Sequence, residues 1–124
     1  MSNERNNRDR LKFWNKVGPV SRVGKGDEDF PYKAFDEWES FFKDKNVLEI
    51  GPGAGKQLNE VASLATEYSV ADVADLVLKL YPEKKNRKSY KIDFDFSNSI
   101  RKKYDTIVAW YVVHHVLREE IDGF

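Results

Sequence analysis

The chain has 124 residues, with 21 Lys and Arg balanced by 21 Asp and Glu, two His and no Cys. That length holds one domain, zero net charge provides no long-range pull on nucleic acid or an anionic membrane, and the lack of cysteine excludes disulfides, thiolate metal sites and a cysteine nucleophile. Met1 to Arg8 contains no apolar stretch to serve as a secretory signal, and the longest apolar run, Ile107 to Val113, is far short of the ~20 residues of a spanning helix.

In chain order, residues 1–10 are charged and aperiodic and are expected to be a disordered tail. Leu11, Phe13, Trp14 and Val17 predict a short amphipathic helix that ends at Gly18-Pro19. Gly24 to Asp29 reads as loop, and Phe35, Trp38, Phe41 and Phe42 recur at helical spacing. Residues 11–45 thus form an N-terminal helical segment. Asn46 to Ile50 is an apolar strand that enters a glycine-rich turn, and Leu58, Val61, Ala62 and Ala65 place a helix directly after it. Tyr68 to Asp72 is the second strand; Leu76, Val77 and Leu80 mark a short helix stopped by Pro82. The basic run Lys84, Lys85, Arg87 and Lys88 reads as solvated surface and leads to a third strand, Tyr90 to Phe94. Ser97 to Lys103 is polar, with room for one helical turn. The fourth strand, Tyr104 to Trp110, is the most apolar, and a helix-like segment, His115 to Ile121, comes after it.

From Asn46 onward, strands and helices alternate, which implies right-handed crossovers and a parallel sheet covered on both faces. Unbroken apolar strands such as Ile107-Val108-Ala109-Trp110 fit that burial. The expected fold is a doubly wound, Rossmann-like α/β sheet.

The segment Val47-Leu48-Glu49-Ile50-Gly51-Pro52-Gly53-Ala54-Gly55-Lys56 is the most informative. Glycines at alternate positions turn the backbone sharply and let a ligand approach the main chain, with the free N–H groups of the next helix facing the same crevice. A phosphate-binding P-loop fails here, because Ile50 and Gln57 stand where it needs a glycine and a hydroxyl residue. The dinucleotide fingerprint fails as well, since Lys56 takes the place of its third glycine. The pattern that fits is acidic-x-Gly-x-Gly-x-Gly, led by Glu49.

With these residues the chain resembles the class I S-adenosylmethionine-dependent methyltransferases, whose first motif has this form. Three more features fall in register. Asp72 ends the second strand, 21 residues after Gly51, where the resemblance implies a carboxylate on the ribose hydroxyls. Ile92-Asp93-Phe94 ends the third strand, where the family places an acid toward the adenine amino group. Tyr104 to Val108, then Val112 to Val116, look like the family's fourth strand and the segment after it. The resemblance implies S-adenosyl-L-methionine as cofactor, with contacts from Glu49, Gly51, Pro52, Gly53, Gly55, Asp72, Val73, Asp93, Phe94 and Trp110. It implies methyl transfer to a small-molecule acceptor in the cytoplasm, with Phe30, Tyr32 and Phe35 as aromatic candidates for a lid. It assigns no catalytic side chain.

Each residue also has a plainer role. Glu49 serves equally as a structural acid that bonds turn N–H groups, Asp72 as a cap for the helix after Val73, and Asp95 competes with Asp93. His114 and His115 are adjacent, cannot face one point, and read as packing or capping residues rather than metal ligands, with a general-base role for one of them as the alternative. The family fold continues beyond a fourth strand, so residues 46–124 are expected to be its cofactor-binding half, incomplete on the C-terminal side. In that case Tyr104 to Trp110 is an open edge prone to self-association. The alternative function is a noncatalytic cofactor-binding or interaction module of the same fold.

Overall fold

The computed structural model describes residues 2–20, 39–53, 58–97, 100–109 and 120. Its sheet contains β1 (Asn46–Ile50), β2 (Glu67–Asp72), β3 (Ser89–Lys91) and β4 (Thr106–Val108). All pairings are parallel, in the spatial order β3-β2-β1-β4. Helix α1 (Ser2–Val17) runs into a 3-10 turn (Gly18–Val20), α2 (Leu58–Leu64) lies between β1 and β2, and α3 (Asp75–Leu78) lies between β2 and β3. Residues 39–42 are also helical. The class is α/β.

β2 is buried at every position and β1 at its three central ones, as inner strands of a parallel sheet must be. Their side chains alternate between two cores. Val47, Tyr68 and Val70 meet Val61 of α2, Val77 of α3 and Trp14 of α1 on one face. Leu48 and Ala71 meet Ile92, Phe96, Ile100 and Tyr104 on the other. The two faces result from the strand order. The steps β1 to β2 to β3 run one way across the sheet, whereas β3 to β4 returns past both, so a right-handed connection must cross the opposite face. Ile92, Phe96, Ile100 and Tyr104, all between β3 and β4, do pack there. Ser97 and residues 100–103 are not helical, so the helical turn expected in that stretch is absent from its described part.

Three further elements differ from the sequence expectation. First, α1 begins at Ser2, not near Leu11, and residues 2–10 are helical. Arg10 supplies the reason: its guanidinium bonds Asn7 Oδ1 at 2.9 Å, both oxygens of buried Glu120 at 2.8 and 2.9 Å, and lies 4.0 Å from the Phe94 ring centroid. Partners that far along the chain leave no local pattern. Second, β3 stops at Lys91 instead of Phe94. Phe96 N–H turns back to the Asp93 carbonyl and Ser97 N–H to Asp95 Oδ1, each at 3.0 Å. Third, β4 is shorter than Tyr104 to Trp110, pairs only with β1 among the described residues, and leaves Ile107 61% exposed. Among the described residues of its apolar run, Ile107 faces solvent and Val108 packs on the first core.

Helix α1 is locked to α3 at two points. Asn15 Oδ1 accepts the Leu76 N–H at 3.0 Å, an orphan donor of a helix whose own N-cap, Ala74, has no side chain to offer. Gly18 allows the close approach behind it, since a Cβ there would stand 2.5 Å from Val77 Cγ2.

Candidate functional site

At the carboxyl end of β1 the chain turns through Gly51 and Gly53, with φ of 66° and 56°. These left-handed values are where a glycine is favoured over any residue with a Cβ. The Gly51 N–H donates to the Ala71 carbonyl at 2.8 Å, which ties the start of the turn to β2. The Gly53 carbonyl accepts the Tyr81 hydroxyl at 2.9 Å. Pro52 is buried between them.

Two acids flank the turn. Glu49 is buried on the Val47 face of β1 and accepts the Tyr68 hydroxyl. Burial pushes its carboxyl up to about 7, against the opposing pull of that hydrogen bond. Asp72 ends β2 and is also buried. Burial pushes it up to about 6, while the N–H groups of Ala74, at 2.9 Å, and Val73 pull it down. The Tyr81 phenol is raised by burial first and then by the charges of Glu49 and Asp72, so it faces both acids. Arg87 completes the group. Its guanidinium lies 5.7 and 5.9 Å from the ring centroids of Tyr68 and Tyr81, and its Nε donates to the Tyr68 carbonyl at 3.3 Å.

Of the sequence-derived site residues, Glu49, Gly51, Pro52, Gly53, Asp72 and Val73 come together at this edge. Val73 is half-buried against the second core. Asp93 and Phe94 come after β3 on the same side of the sheet, just past Ile92, whose N–H donates to the Asp72 carbonyl at 3.1 Å. Asp93 is exposed and Asp95 is engaged with Ser97, and Phe94 lies under Arg10. Gly55, Trp110, His114, His115, Trp38 and the lid candidates Phe30, Tyr32 and Phe35 lie outside the described residues.

Asp72 accepts the N–H groups of Val73 and Ala74 ahead of α3, whose N-cap is Ala74, and this leaves it acceptor capacity, because a carboxylate offers about four acceptor positions. Among the described residues, Glu49 accepts a hydroxyl from β2. Tyr68, Tyr81 and Arg87 are the residues that sequence reasoning missed. Tyr68 had a signal: it shares the strand face of Val70 and Asp72, and the parallel register brings that face beside Glu49. Arg87 sits within a basic run and reads as surface, yet it is buried.

Among the described residues, no group of three or more His, Cys, Asp or Glu is placed to hold a metal ion, and no helix is long and apolar enough to cross a membrane. No protein-family model matches the sequence, and no curated protein matches it.

Proposed function

We propose that this chain is the cofactor-binding part of a class I S-adenosylmethionine-dependent methyltransferase, built on a doubly wound Rossmann-like sheet and acting on a small-molecule acceptor. The observation that carries the reading is the pair Glu49 and Asp72, at the ends of adjacent parallel strands, on either side of a turn with two left-handed glycines. That turn stands where the strand order changes direction, with β2 on one side of β1 and β4 on the other. Ligands of open α/β sheets bind outside the strand ends at such a point.

The residues present fit this cofactor. Asp72 accepts two backbone N–H groups and keeps lone pairs for two neighbouring hydroxyls. With its carboxyl near 6 it is mostly ionised at neutral pH. Lys56 in place of the third fingerprint glycine, and Ile50 and Gln57 where a P-loop needs a glycine and a hydroxyl residue, disfavour a nicotinamide dinucleotide or ATP. When bound, S-adenosylmethionine supplies a methyl group activated by a sulfonium. The chain contributes placement: Asp72 holds the ribose, the glycine turn admits the ligand to the main chain, and Asp93 with Phe94 borders the adenine end. Holding two reactants in line accounts for up to ~7–11 kcal/mol of such a barrier.

Titration calorimetry with S-adenosylmethionine, S-adenosylhomocysteine, NAD and ATP tests this. The first two are expected to bind and the last two are not. Binding of NAD or ATP in preference refutes the reading. Tight binding of S-adenosylmethionine without methyl transfer to any small-molecule acceptor identifies a noncatalytic cofactor-binding module.

A further inference from the structure

We infer that Tyr81 is a positioning residue of the glycine turn, whose hydroxyl fixes the Gly53 carbonyl and so holds the turn in its ligand-ready shape. The consequence for affinity rests on the methyltransferase reading; the consequence for the turn itself does not.

Among the described residues, the turn is anchored at two points. The Gly51 N–H is held by β2 through the Ala71 carbonyl at 2.8 Å. Beyond it, both glycines have left-handed φ, the region in which glycine is least restrained by its own sterics. A second anchor is therefore needed to fix the peptide plane that starts at Gly53, and the Tyr81 hydroxyl supplies it at 2.9 Å. Tyr81 is rigid enough for that task. It is 1% exposed, its ring packs in the first core with Val70 and Val77, its N–H donates to the Leu78 carbonyl at 2.9 Å, and its carbonyl accepts the Ser89 hydroxyl. The phenol is protonated at neutral pH, as any tyrosine is, and burial first, then the charges of Glu49 and Asp72, raise it further.

A phenol that only fills the core makes a different prediction: loss of its hydroxyl would loosen the sheet evenly and leave the turn no worse than its surroundings. Tyr81→Phe in the full chain separates the two. Without ligand, amide exchange at Gly51 and Gly53 is expected to accelerate while Val70 and Ala71 in β2 keep wild-type protection, and the Gly53 carbonyl-carbon resonance is expected to move. The dissociation constant for S-adenosylhomocysteine should rise roughly 3- to 10-fold, the effect of one neutral hydrogen bond. Replacing Tyr81 with para-aminophenylalanine, which keeps a donor on the ring, should restore both. Equal acceleration at the glycines and in β2, or none anywhere, overturns the inference. If the wild-type chain does not bind S-adenosylhomocysteine, the methyltransferase reading fails, and exchange at the glycines still decides the role of Tyr81.

Discussion

Glu49 gives the most direct test of the buried acidic site. It is 3% exposed, and burial lifts its carboxyl from an ordinary 4.5 to about 7, despite the hydrogen bond from Tyr68. The folded state therefore prefers the protonated form. A group raised on folding contributes stability that is complete below the unfolded value of 4.5 and is lost as pH rises through about 7. The shift from 4.5 to about 7, at 1.36 kcal/mol per unit, amounts to about 3 kcal/mol across the window. Glu49→Gln keeps an acceptor oxygen for Tyr68 and removes the ionisation. Urea unfolding of both proteins from about pH 4.5 to about pH 8 should show the wild type losing about 3 kcal/mol relative to the variant. Asp72 titrates in the same range, but it is present in both proteins and largely cancels in the difference. Parallel stability curves would show that Glu49 is not held in a desolvated site, and the burial argument would fail.

Asp72→Ala should weaken S-adenosylhomocysteine by about 1.5–3 kcal/mol, the range for a hydrogen bond to a charged group. A 2′,3′-dideoxy analogue should be indifferent to the change, and equal losses for both ligands would mean that Asp72 acts through the start of α3. Gly18→Ala should cost roughly 1–3 kcal/mol by overpacking, because the new methyl would meet Val77 Cγ2 at 2.5 Å. Val77→Ala in the same chain should relieve part of that cost, and strict additivity in urea unfolding would refute the contact. Ile107, 61% exposed on β4, should drive self-association of the chain, and Ile107→Lys should reduce it with little effect on stability. A monodisperse wild-type monomer in sedimentation at ~100 μM, a concentration at which exposed edges aggregate, refutes it.

What the sequence reveals of this fold is what local chemistry determines. Asn46–Ile50 and the glycine turn are readable because Val47, Leu48 and Ile50 make a short apolar stretch that runs straight into glycines, and Gly51 and Gly53 are favoured where φ is positive. Val61 and Val77, which mark α2 and α3, are readable because helical spacing puts them on one core. The ends of β3 and the start of α1 are not readable. β3 ends where Asp93 and Asp95 close a turn, a choice that competes evenly with strand extension in Ile92-Asp93-Phe94. Helix α1 keeps its polar first half through Arg10 and Glu120, 110 residues apart.

The site divides along the same line. Glu49 and Asp72 stand out in the sequence because a carboxylate at the end of an apolar strand contradicts its surroundings. Tyr81 and Arg87 contradict nothing nearby. A tyrosine before a proline and an arginine among lysines are ordinary until the sheet sets Tyr68 of β2 between Glu49 and Arg87. At that point burial brings the groups together: the raised carboxyl of Glu49 accepts from Tyr68, and the Tyr81 hydroxyl, raised chiefly by burial, donates to the Gly53 carbonyl. In Glu49→Gln the loss of one facing charge lowers the barrier to ionising Tyr81, yet burial, the largest cause of its shift, remains. The Tyr81–Gly53 bond should survive, with Gly53 amide exchange at the wild-type level. Accelerated exchange at Gly53 in that variant would place the control of the turn in Glu49 itself and remove Tyr81 from its role.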